Sequence, residues 1–390
     1  MKAMPRKGLL LVVIYLAFIS LGLPDSLLGP AWPAMYGDLA VPVHFAGFIS
    51  MTIAGGTVVS SLFSARLIAQ MGVASVTTCS VALTALALLG FAFSHHFIFL
   101  CLLAIPLGLG AGCVDAALNN YVALHYKARH MNWLHCFWGV GAAVGPIIMA
   151  GQLTRGHGWH SGYLTVGLMQ VVLVLVLLLS IPLWVRKSPT AADGQETKIG
   201  FMALLRIRGL KQALVVFFCY CSVEATFGLW GASYLVFVRQ FDPEDAARLV
   251  SVYYVGITVG RFVSGLLADR FTNKQLVYMG QGGILIGLLM LLLPLDAAPL
   301  LGFLLVGLGC APIFPSLLHE TPRNFGEKHA QAIMGMQMAS AYIGITLMPL
   351  LFGKLASYLN HSFLLGYIAC LLALQIFMTY RLNRRVAKSV

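Results

Sequence analysis

Charged residues are scarce, making up 10% of the 390 positions, and only thirteen of them are acidic. A soluble domain presents about a quarter charged residues, so a soluble globular fold is excluded. The eight cysteines are not arranged for chemistry either: no CxxC occurs, the closest pair is Cys219 and Cys221, and no His/Cys group has metal-ligand spacing. That leaves no zinc site and no redox pair. A phosphate-cradling glycine loop and a nucleophile elbow are also missing, so nothing indicates an enzyme and no cofactor is expected. Apolar residues, by contrast, make up 59% of the chain, and its mean hydropathy is +0.86. This composition belongs to a polytopic membrane protein.

Apolar windows of about 20 residues, the length that crosses the hydrocarbon core, fall at 8–30, 43–64, 73–93, 97–122, 133–153 and 162–185. A second set falls at 211–236, 247–268, 275–294, 298–318, 331–352 and 362–382. Lipid offers backbone groups no partner and no ten-residue alternation suggests a barrel, so the spans are expected to be helices. The start "MKAMPRKGLLLVVIYLAFISLGLPD" has the charge pattern of a signal peptide but no small-x-small cleavage site, and is read as the first span.

The net charge of +12 raises the question of a nucleic-acid partner, which the distribution of Lys and Arg answers. With both termini cytoplasmic, 20 of the 25 lie inside, Arg155, Arg239, Arg248 and Lys354 lie outside, and Arg261 is left within a span. This is the positive-inside bias of a plasma (inner) membrane protein, here expected to be bacterial, whose partners are lipid and a small solute rather than nucleic acid.

One polar stretch, 187–209, separates the two sets of spans and reads as a cytoplasmic linker between an N-terminal bundle, 1–186, and a C-terminal bundle, 210–390. "GLG" at 108–110 recurs at 307–309, Gly145 maps to Gly344, and Asp25 with Gly29 maps to Glu224 with Gly228, all at an offset of 199. The expected fold is an all-α membrane protein of twelve transmembrane helices in two pseudo-symmetric six-helix bundles, with binding at mid-membrane.

"GRFVSGLLADRFTNK", Gly260 to Lys274, carries Gly265, Asp269 and Arg270 at the spacing of the loop signature of the major facilitator superfamily, which it resembles. The resemblance implies a charge relay that latches the cytoplasmic side. The first-half loop "SARLIAQMGVAS" keeps Arg66 and Gly72 but has Ala69 and Gln70 where the acid and base would stand, so the latch is expected to be asymmetric. "GLPDSLLGPAWPAM", "GLGAGCVDAALNNYVALHY" and "MNWLHCFWGVGAAVGP" resemble the fucose/hexose permease branch of that superfamily. That likeness implies uptake of a sugar with H+ or Na+, with an acid on the first helix and another on the fourth. Asp25 and Asp115 match them; the fourth-helix residue of fucose carriers is Glu, so fucose itself does not follow. The chain is expected to work as a monomer.

The residues themselves offer two readings each. Of the thirteen acids only Asp25, Asp115 and Glu224 fall well inside spans, where carboxylates are expensive and face a cavity or a partner. Asp25, between Pro24 and Gly29, either caps backbone donors near the outer interface or is a proton or cation site. Asp115 and Asn119, one helical turn apart, either make a structural hydrogen bond or hold Na+ jointly with Asp25; Asn119 is also placed to bind sugar hydroxyls. Glu224 can bind hydroxyls, contribute to coupling or pair with a base.

A sugar site also needs an aromatic platform. His135 and Trp138 stand at i and i+3, Trp138 maps to Gln337, and Trp230 lies two turns beyond Glu224, which makes these the candidate substrate residues. "GVGAAVGP" resembles the fifth-helix signature of drug/proton antiporters, so an antiporter exporting drugs or sugars is the competing function, and a transporter-like receptor a more distant third. The glycines serve equally well as close-packing positions.

Overall fold

The structure, a computed structural model, describes residues 6–126, 128–184, 205–267 and 270–386. Asp269 and most of the 187–209 linker lie outside the described residues, as does the side chain of Asn120. Among the described residues, twelve helices are long and apolar enough to cross a membrane, and no strand occurs. The all-α membrane fold is therefore observed. Its surface is inverted relative to a soluble protein: Leu86, Ile98, Leu179 and Leu292 are exposed while Thr77, Gln170, Thr226, Ser233, Gln281 and Gln375 are buried. Helix faces turned outward are apolar because their solvent is lipid.

The chain divides into two compact units, Met1–Thr190 with Gly231–Ser251, and Ala191–Trp230 with Val252–Val390. In the first, α1 (Arg6–Asp25) and α2 (Leu28–Asp38) form one interrupted span, followed by α3 (Ala46–Met71), α4 (Val73–Phe93), α5 (Phe97–His125), α6 (Ala128–Thr154) and α7 (Gly158–Ser180). Helix α5 lies along both α3 and α4, α4 also along α7, and α1 along α6. The remaining helices are α8 (Leu210–Arg239), α9 (Pro243–Leu267), α10 (Asn273–Leu291), α11 (Ala298–Cys310), α12 (Ile313–His319), α13 (Thr321–Phe325), α14 (Glu327–Tyr358) and α15 (Leu364–Val386). Ser251, in the part of α9 that belongs to the first unit, donates to the Ala143 carbonyl at 2.7 Å.

The recurring glycines explain the pairings. A Cβ at Gly108 would run into the carbonyl of Ile53 on α3, and one at Gly307 into the carbonyl of Tyr253 on α9. Gly110 faces Ser80 and Thr84 as Gly309 faces Gly280 and Ile284. Small residues let backbones touch where lipid supplies no hydrophobic drive for helices to associate. The GLG repeat is thus a packing device used in the same way in each half.

Candidate functional site

The first span breaks where Pro24 stands. Proline has no N–H to return to the carbonyl four residues back, which here is Ser20, and the chain turns at Ser26 and Leu27 before resuming as α2. The orphaned Ser20 carbonyl accepts from Gln170 Nε2 at 2.6 Å, and the Ser20 hydroxyl donates to Gln170 Oε1 at 2.7 Å. Ser26 turns its hydroxyl back onto the carbonyls of Gly22 and Leu23, at 3.3 and 3.2 Å. The interruption is therefore braced at Ser20 and at Ser26, and it leaves Asp25 at the end of α1. Because Gln170 is almost completely buried, Gln170→Leu should leave the Ser20 groups unpaired at a cost of about 1–3 kcal/mol. A lower melting temperature of the purified protein is the expected result, and an unchanged one would remove this account of the break.

Asp25 is exposed between buried neighbours, Pro24 and Ser26. Its Oδ2 accepts from Trp138 Nε1 at 2.8 Å. This contact follows from the packing of α1 on α6: a Cβ at Gly22 would strike the backbone carbonyl of Trp138, so the glycine brings the indole alongside the carboxylate. Asp115 lies within electrostatic reach of Asp25 and accepts from Asn119 Nδ2 at 2.9 Å on Oδ1 and 3.0 Å on the main-chain oxygen. In this arrangement Asn119 offers the carboxylate its N–H face; a sodium ion shared by both side chains requires the amide turned over. His135, one turn before Trp138, is half-buried and meets Phe18 edge-on at 5.9 Å between ring centroids. The first unit thus brings together Asp25, Asp115, Asn119 and Trp138.

The second unit is built differently. Glu224 on α8 faces Arg261 on α9, with Oε1 and Nη2 3.7 Å apart, and its main-chain oxygen accepts from Tyr253 Oη at 3.1 Å. Gln337, the duplicate of Trp138, is buried and accepts from Thr321 Oγ1 at 3.0 Å rather than meeting Glu224. Trp230 is fully buried, donates to the Pro349 carbonyl at 2.8 Å and packs on Phe352. Of the relay residues, Arg66, Gly265 and Arg270 are exposed. The Glu224–Arg261 pairing and the Ser20–Gln170 brace are the contacts that the sequence left unnamed. Both had a signal: Arg261 as the base left inside a span, and Pro24 as a residue that must free a carbonyl.

A family profile described as Major Facilitator Superfamily matches residues 14–349 and 249–390. "Bypass of stop codon protein 6" of Saccharomyces cerevisiae is 23% identical over 70% of this chain, which spans 60% of the yeast protein's length. The glucose/mannose transporter GlcP of Bacillus subtilis is 21% identical over 86% of this chain and 83% of its own. Among solved structures, the nucleoside transporter NupG is similar with a TM-score of 0.78 at 14% identity, covering 97% of this chain and 99% of that one. A D-xylose–proton symporter gives 0.76 at 12% identity, covering 96% and 97%. These structural likenesses speak for the fold. Matched over well beyond half its length, the chain belongs to the Major Facilitator Superfamily and is an integral membrane transporter, not an enzyme.

Proposed function

We propose that this transporter is a symporter that carries a monosaccharide, such as a hexose, together with H+ or Na+ by alternating access. The observation that carries the reading is the Trp138 indole N–H donated to Asp25 at 2.8 Å, beside the Asp115–Asn119 pair. It joins an aromatic ring, the platform a sugar's apolar face needs, to a carboxylate that cargo and cation both influence. A charged carboxylate is poorly tolerated away from water, so the unit crosses between its open states with the acids neutralised by proton or cation. Loading and sugar binding then favour the same step, which is coupling. GlcP, a carrier of sugars by name, supports the choice of cargo.

The motif that favours export by antiport has a packing account. A Cβ at Gly141 would meet the Ile19 carbonyl, and one at Gly145 the Ser26 hydroxyl, so both glycines serve the approach of α6 to α1. The same proposal has the chain in a bacterial inner membrane, both termini cytoplasmic, acting as a monomer.

Radiolabelled sugar uptake into proteoliposomes under imposed H+ or Na+ gradients tests it. Accumulation that follows an inward cation gradient is expected; accumulation against an opposing gradient would establish exchange instead. Trp138→Phe keeps the ring and removes the donor to Asp25, whereas Trp138→Ala removes both. The alanine variant is expected to bind sugar at least about tenfold more weakly, equivalent to roughly 1.4 kcal/mol, and the phenylalanine variant to retain most binding but lose accumulation. Equal sugar affinity in Trp138→Ala and parent would remove the platform.

A further inference from the structure

The last turns of α15 carry charge on the side of the helix that faces away from the protein. The buried residues Leu372, Gln375, Thr379, Leu382 and Val386 run down one side. Helix periodicity puts Leu374, Phe377, Tyr380, Arg381 and Arg384 on the opposite side, and all five are exposed. From Leu364 to Tyr380 the helix rises about 24 Å at roughly 1.5 Å per residue, most of the roughly 30 Å of the hydrocarbon core. Leu374 and Phe377 therefore face acyl chains, and the two guanidiniums stand where the headgroups begin.

Three features set these arginines apart from charges that merely anchor a helix end in water. Each is laid over a ring one turn back: Arg381 Cζ is 5.6 Å from the ring centre of Phe377, and Arg384 Cζ is 5.7 Å from that of Tyr380, both within cation–π range. Stacking uses the face of a guanidinium and leaves its N–H edge for acceptors. That edge is little used within the protein: Arg384 Nη1 donates to Tyr380 Oη at 3.3 Å, and among the described residues no carboxylate pairs with either arginine. The neighbouring polar residues turn elsewhere, Arg385 to Gln212 on α8 at 3.4 Å and Asn383 to Tyr278 on α10 at 3.2 Å. The outward face is left to Arg381 and Arg384.

We propose that this end of α15 is a binding site for an anionic phospholipid, its phosphate held between Arg381 and Arg384 and an acyl chain lying along Tyr380, Phe377 and Leu374. The occupant must be acidic at one end and apolar beneath it, because the two cations and the exposed apolar side chains form one continuous face. A free phosphate or an acidic peptide would satisfy the arginines and leave the rings uncovered. A zwitterionic lipid would bring its own cation towards two guanidiniums. The site lies wholly within the second unit and does not depend on the cargo or the coupling ion. With the C-terminus cytoplasmic, as proposed above, the lipid belongs to the inner leaflet, where basic residues beside a span meet a negative surface.

The test is native mass spectrometry of the purified full-length protein in detergent, titrated with dioleoylphosphatidylglycerol or with dioleoylphosphatidylcholine. Each basic residue at a membrane surface contributes about fivefold in affinity for anionic lipid, so the parent is expected to bind the glycerol lipid at least about tenfold more tightly than the choline lipid. Arg381→Gln/Arg384→Gln should bring the two within about twofold, and each single variant should weaken the glycerol lipid about fivefold, which decides the matter if the double variant does not fold. Arg206→Gln/Arg208→Gln is the control: it removes two exposed charges from the turn that packs on the same end of α15 through Gly209, and it should cost less than about threefold. Inorganic phosphate, at an ionic strength matched with chloride, should leave the melting temperature of the parent unchanged. Equal affinity of the parent for both lipids, a preference that survives without Arg381 and Arg384, or an equal loss in the control would overturn the proposal. So would a rise in melting temperature with phosphate that disappears in the double variant, because the site would then be one for a free anion.

Discussion

Asp25→Asn should abolish accumulation while leaving exchange intact. A symporter that moves one cation with each sugar, driven by a tenfold cation gradient at zero membrane potential, concentrates its cargo up to about tenfold, because each factor of ten carries roughly 1.4 kcal/mol. With the acid replaced by an amide, no proton or cation need be loaded and the inside-to-outside ratio should settle near one. The fold should survive, since an asparagine oxygen still accepts from Trp138 Nε1 where the Asp25 carboxylate does at 2.8 Å. Counterflow, which asks only that sugar crosses in both directions, should therefore persist. Asp115→Asn should behave in the same way, as Asn119 can still donate to the new side chain's oxygen. The measurement is sugar accumulation and counterflow in the same proteoliposome preparation. Normal accumulation in either variant would take that residue out of the coupling machinery, and loss of counterflow along with accumulation would assign it to sugar binding or folding instead.

Positions along the chain were legible in the sequence to the extent that one-dimensional rules govern them. Span length follows from bilayer thickness, and the twelve windows read from apolar runs correspond to the twelve helices. Pro24 carried a signal for the break in the first span, read as continuous over 8–30, because its missing N–H is a local property. The rotation of one helix about its axis against another is not local, and there the repeat misled. An offset of 199 equates Asp25 with Glu224, yet Gly145 meets Ser26 and Leu23 whereas Gly344 meets Ser222 and Phe218. Measured from the matched glycines, Ser26 corresponds to Ser222, so Asp25 comes one residue before that serine and Glu224 two after it. A step of three residues shifts the acid roughly 4.5 Å along the axis relative to the glycine seam, and the partners differ: Asp25 meets Trp138, Glu224 meets Arg261, and Gln337 meets Thr321. Trp230, attractive by its spacing from Glu224, is held in the interior by Pro349 and Phe352, contacts set by α14 and invisible in local spacing.

Gly141→Leu should prevent the protein from reaching a stable folded state. A Cβ built on Gly141 would collide with the carbonyl oxygen of Ile19, and the neighbouring obstructions are the backbone carbon and Cα of the same residue. A flexible side chain can swing out of the way, but a helical carbonyl cannot move without its helix, so α1 and α6 must separate along their contact. Overpacking a fitted core costs about 1–3 kcal/mol even where side chains adjust, and here the adjustment would also pull Gly22 off Trp138 and Gly145 off Ser26, which share the seam. Against a total stability of about 5–15 kcal/mol for an ordinary domain, such a loss is large. Gly151→Leu provides the control, since it adds the same side chain to the same helix at a position where nothing lies within 4 Å of the new Cβ. Monodisperse yield and melting temperature of the two variants decide the matter: near-parental behaviour is expected for Gly151→Leu and loss of the monodisperse species for Gly141→Leu. Equal yields would mean that the α1–α6 seam, which sets the indole of Trp138 against Asp25, tolerates being opened. Sugar binding and coupling would then have to survive without that contact.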